Sequence, residues 1–96
     1  MNADDFFKIP FKNQVYKLPF DQVEDLLKIS EYKGLDIEVI IKTNDNKEII
    51  GTVQDFHGYN PLHPADIDIP IVFKIKTSVE IIEINFLEVK SIEVKN

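Results

Sequence analysis

Cysteine and arginine are both absent from the 96 residues. Without cysteine there is no disulfide framework, no thiolate zinc site and no cysteine nucleophile. All eleven cationic residues are lysine, so the planar fork that grips phosphate, carboxylate or guanine through paired hydrogen bonds is missing. Glycine occurs only at Gly34, Gly51 and Gly58, too few and too scattered for a phosphate-cradling loop. Long apolar runs are lacking too. Stretches such as Ile71-Val72-Phe73 fall far short of the roughly 20 residues that cross a bilayer as a helix. The opening Met1-Asn2-Ala3-Asp4-Asp5 is acidic where a signal peptide is basic. These absences lead to the expectation of a cytoplasmic protein without a membrane segment.

What is present suits one small domain spanning residues 1–96. Hydrophobic residues make up 44% and aromatics 10%, enough for a core and too much for a disordered acidic tail. The formal charge of -6 and the pI near 4.8 set the chain against nucleic-acid phosphates and anionic membranes.

Periodicity divides the chain. Residues 1–19 read as an arm studded with Phe6, Phe7, Phe11 and Tyr16 and interrupted by Pro10 and Pro19, which disfavour a helix. Left in water such an arm would expose a large apolar patch, so it is expected to pack on the barrel or on a partner, its own barrel before a partner. A helix is expected from Asp21 to about Tyr32 or Lys33. Asp21 and Glu24 have the spacing of a capping box, and Phe20, Val23, Leu26, Leu27 and Ser30 share a face. Gly34 supplies the stop. From Leu35 the period becomes two, with Leu35, Ile37, Val39 and Ile41 on one side. Further strands are expected at about Glu48–Phe56, Ile71–Thr77, Val79–Ile84 and Ser91–Val94, with a helical turn over 85–89. Gly51 within the first of these predicts a sharp bend or a close backbone approach. Short antiparallel strands at this spacing predict a small barrel or sandwich over 35–94.

A helix followed by five short, strongly bent strands resembles the Sm/LSm family of small barrels. The likeness is clearest at Gly51-Thr52-Val53-Gln54-Asp55-Phe56, which looks like the strand segment of the family's first motif. The resemblance implies a mainly β fold, an N-terminal helix and then a five-stranded antiparallel Sm-like barrel; an SH3-like barrel has the same strand count. In RNA-binding members an Asp after the motif aromatic and an Asn a few residues on help hold a base, and an Arg-Gly pair follows later. Here His57 stands where that Asp would be, Asn60 follows at a shorter spacing, and Glu83-Ile84-Asn85 replace the Arg-Gly pair.

Catalytic chemistry is hard to place. Ser30, Ser78 and Ser91 fall at helix-end and turn positions, an ordinary structural use. Asp36, Glu38, Glu80, Glu83, Glu88 and Glu93 alternate along strands, as on a solvated face. His57 and His63, with Asp66 and Asp68 nearby, could ligate a divalent metal, but their spacing matches no known motif and exposed loop histidines explain them more simply. No enzyme activity, metal or cofactor is therefore expected. The segment 57–68 reads as one long loop joining two strands, and such loops often carry function. Phe56, His57, Tyr59, Asn60 and His63 are its candidate binding residues, Leu62 lying among them; Phe56 and Leu62 suit equally well the role of loop anchors in the core.

Three functions follow. The first is a non-enzymatic adaptor with an Sm-like barrel, contacting a protein partner or self-associating into an oligomer. The second is an acidic inhibitor, such as a toxin-immunity or anti-defence protein, whose charge orients docking on a basic cleft. The third is an Sm-type RNA binder using Lys74 and Lys76, which share a strand face.

Overall fold

The computed structural model describes residues 6–62 and 66–95. Its elements are β1 (Phe6–Phe11), β2 (Gln14–Pro19), α1 (Phe20–Tyr32), β3 (Glu38–Thr43), β4 (Glu48–Tyr59), β5 (Ile69–Lys76), β6 (Ile81–Asn85), a 3-10 turn (Phe86–Glu88) and β7 (Val89–Val94). They form a mainly β structure of two sheets, β1-β2 and β6-β5-β4-β3-β7, every pairing antiparallel.

This architecture corrects the expectation of an N-terminal helix and a five-stranded barrel in two ways. First, α1 is not the N-terminal element: it sits between β2 and β3, and the aromatic arm is a hairpin. Two-residue hairpin loops favour φ > 0 at both central positions, and Lys12 (φ 50°) and Asn13 (φ 67°) supply it. Pro10 and Pro19 break nothing, because both strands of a two-stranded ribbon are edges that tolerate a missing N–H. Phe7, Ile9 and Leu18 point inward and are buried. Second, the barrel does not close: among the described residues β6 and β7 end the sheet as separate edges with no pairing between them. Asn85 turns the chain away at this point. Its side chain accepts a hydrogen bond from the Leu87 N–H (2.9 Å), and Glu88 Oε2 accepts from the Asn85 N–H (3.0 Å). This capping box steers the chain from the outer edge of β5 to the outer edge of β3.

The capping box expected at Asp21 and Glu24 is likewise absent. Pro19 occupies the cap position without a side-chain bond, and Asp21 Oδ1 accepts only from its neighbour's N–H, Gln22 (2.9 Å). The helix is held by packing instead. Val23, Leu26 and Ile29 are buried against β4, β5 and β7. Lys28 Nζ reaches both Asp25 (3.0 Å) and the Ile92 carbonyl (3.1 Å). At the far end Gly34 adopts φ +74°, and its N–H donates to the Val53 carbonyl (3.1 Å).

The five-stranded sheet turns on Gly51. Residues Glu48–Thr52 of β4 pair with β3, while Thr52–Tyr59 pair with β5, so only Thr52 has a partner on each side. A side chain at Gly51 would overlap the Lys76 carbonyl and stand 2.9 Å from Ile75 Cγ2. The close backbone approach expected of this glycine is therefore present. Register shifts at Val53/Asp55 and His57/Gly58 add further curl. Phe73 and Phe86 are fully buried beneath the helix and hairpin, and Phe86 meets Phe11 (5.2 Å between ring centres) and Tyr16 (5.8 Å) edge to face.

Candidate functional site

The structure separates the residues expected to form one binding loop. Phe56 lies in β4, where a strand was expected, and His57 and Tyr59 belong to β4 too rather than to a loop, because the β4–β5 ladder continues to Tyr59↔Ile69. Phe56 pairs with the buried Phe73 and packs against the core, and Tyr59 also packs there. His57 is exposed beside Val72. Asn60 organises the loop itself: its Nδ2 donates to Asp66 Oδ1 (2.6 Å) and its Oδ1 accepts from the Leu62 N–H (2.8 Å). Leu62 is 65% exposed and is no core anchor. His63 lies outside the described residues. Among the described residues no three His, Asp or Glu side chains gather as a metal site would require.

Around Phe56 the charges pair locally. Lys33 Nζ stands 5.5 Å from the Phe56 ring centre and 3.3 Å from Asp55. The Phe56 N–H, and then Lys33, hold the Asp55 carboxyl below the usual range. Lys74 sits in the ladder between Asp55 and Glu83, so two acids flank one of the two lysines assigned to RNA.

A different feature gathers more uncovered apolar surface. Where the sheet fails to close, a cleft of about 380 Å³ opens between β6 and the β3–β4 turn. Ile49, Ile82, Ile84 and Leu87 line it, with Asp45, Glu83 and Glu88 among the surrounding polar groups. One wall is fixed by Asn44, whose N–H donates to the Glu88 carbonyl (3.0 Å) and whose Nδ2 donates to the Leu87 carbonyl (2.6 Å). Thr43 shapes the turn: its hydroxyl donates to Asp45 and accepts from the Lys47 N–H (3.2 Å). The Thr43 hydroxyl, and then Lys47 at 3.7 Å, keep the Asp45 carboxyl below its ordinary pKa.

No family model, curated protein or solved structure matches the chain.

The edge beside the cleft is apolar as well as unpaired. Val79 is 83% exposed and Ile81 57%. Sequence reasoning missed this site because Val79–Ile84, rich in isoleucine and valine, reads as an ordinary strand of the sheet. Only the loss of closure turns that strand into an edge. The available signal was the density of isoleucine and valine over 79–84 with no lysine to guard it.

Proposed function

We propose that this chain is a non-enzymatic protein-binding module that takes its partner along β6, the open edge of the five-stranded sheet. The observation that carries this reading is the coincidence of an unpaired strand, exposed Val79 and Ile81, and an apolar cleft at Ile49 and Ile82. An unpaired edge offers a row of backbone donors and acceptors, and a neighbouring pocket adds side-chain selectivity. Natural proteins usually blunt such an edge with charge, proline or a covering element. The β6 strand carries no proline and no lysine, and Glu83 is the one charge along its five residues.

The test is capture from native lysate with two baits, the natural chain and the double variant Ile81→Lys, Ile82→Lys. Lysine on an edge strand opposes pairing, and its stem can still cover apolar surface. The reading expects a protein retained by the first bait and lost by the second, with both baits giving the same far-ultraviolet circular dichroism. Retention of one partner by both baits, or of nucleic acid alone, overturns it.

A further inference from the structure

We infer that a second cavity, between the hairpin tip and β6, is a site for a free α-amino acid with an apolar side chain, Lys12 meeting its carboxylate and Glu83 its ammonium. The cavity measures about 310 Å³, and Phe11, Lys12, Val72, Glu83, Ile84 and Glu88 line it. It carries charges of both signs that are not paired with one another. Among the described residues the ion pairs are Lys28–Asp25, Lys33–Asp55, Lys47–Asp45 and Lys95–Glu38. Lys12, Glu83 and Glu88 enter none of them, and neither does Lys74, which the ladder sets in register with Glu83. Glu88 already serves the cap, accepting from the Asn85 N–H (3.0 Å). Glu83 is the carboxylate left for a ligand.

The backbone holds Lys12 where lysine is unusual. Both central positions of a two-residue hairpin loop need φ > 0, and Gly, Asn and Asp are the usual occupants. Asn13 conforms; Lys12, at φ 50°, does not. Such departures gather where a side chain is put to use. The contact of Phe11 with the buried Phe86 (5.2 Å between ring centres) fixes the tip, and Lys12 Nζ stands 5.3 Å from the Phe11 ring centre. The ammonium thus lies over a ring of the cavity wall without a carboxylate partner among the described residues. Small-ligand pockets run from roughly 300 to 1,000 Å³, so this one suits a molecule of few atoms. An α-amino acid carries a carboxylate, an ammonium and a side chain on one carbon. The cavity offers a counterpart to each: Lys12, Glu83, and the apolar surface of Phe11, Val72 and the buried Ile84. A simple anion would leave Glu83 unmatched, and a simple cation would leave Lys12. The charged residues are exposed, and exposed ion pairs contribute little, so a dissociation constant of roughly 1 mM is expected.

The test is a nuclear magnetic resonance titration of the isotope-labelled natural chain with three probes. L-Leucine has both charges, L-leucinamide lacks the carboxylate, and isocaproate lacks the ammonium. Leucine should give saturating shifts at the amides of Lys12, Val72 and Asn85, and each one-charge probe should bind about fivefold more weakly, the upper range for one exposed ion pair. Lys12→Asn, which the turn accepts, should weaken leucine by about the same factor and leave leucinamide unchanged. Glu83→Gln should weaken leucine likewise and leave isocaproate unchanged. Unaltered dispersion of the remaining amide signals checks that each variant is folded. Shifts that never saturate, equal binding of either one-charge probe, or a leucine affinity unchanged in either variant overturns the inference.

Discussion

Two single positions carry consequences that can be measured. Gly51 is needed for space: a methyl group there meets the Lys76 carbonyl, a backbone atom that cannot swing aside. Gly51→Ala should cost about 1–3 kcal/mol, the range for overpacking, read from the midpoint of urea unfolding. Asp45 and Asp55 are expected to contribute to the acidic limb of stability. Both carboxyls have a lowered pKa in the folded chain, Asp45 chiefly through the Thr43 hydroxyl and Asp55 chiefly through the Phe56 N–H. The unfolded chain therefore binds more protons than the folded one across the interval between the two pKa values. Their contribution is present above the ordinary Asp range and is lost as pH falls through the lowered values. Asp45→Asn, Asp55→Asn should flatten the decline of thermal midpoint with acidification, and an unchanged slope would refute the assignment.

At the scale of elements, the hairpin and the 3-10 turn are one packing unit. Phe86 is fully buried and receives the edges of Phe11 and Tyr16. Phe86→Ala should destabilise by about 3–5 kcal/mol and raise amide exchange in β1 and β2 before the rest. Uniform acceleration across the chain would show that the hairpin is not held there. Much of the elements' placement was legible in the sequence. The alternation from Ile37 to Ile41, the bend at Gly51 and the helical turn near Asn85 all follow from local patterns. The hairpin was not legible because Pro10 and Pro19 signal interruption, and their tolerance depends on the sheet having only two strands. The barrel was misread because closure depends on β6 and β7 meeting, and no local pattern encodes that. The candidate loop likewise lost His57 and Tyr59 to β4, since the Gly58↔Pro70 and Tyr59↔Ile69 pairs extend the ladder past a glycine and beside a proline.

The whole molecule is electrically lopsided. Residues 6–19 contain Lys8, Lys12 and Lys17 and no acid. Subtracting that +3 from the total of -6 leaves the other residues at -9. The hairpin is thus the basic part of an otherwise acidic molecule, and its Lys12 lines a cavity together with Glu83 and Glu88. The molecule also depends on its last strand. Val94 and Ile92 of β7 complete the ladder of β3, and Ile92 is buried under the helix. A chain ending at Glu88 should lose its cooperative melting transition, and retention of that transition would show the remaining strands to be self-sufficient.

The pairing of β3 with β7 has a consequence for biosynthesis. β3 emerges from the ribosome early, yet one side of it waits for residues 89–94. Through that interval the nascent chain presents a bare isoleucine- and valine-rich flank, the kind of surface that chaperones hold and that neighbouring nascent chains on a polysome can zip onto.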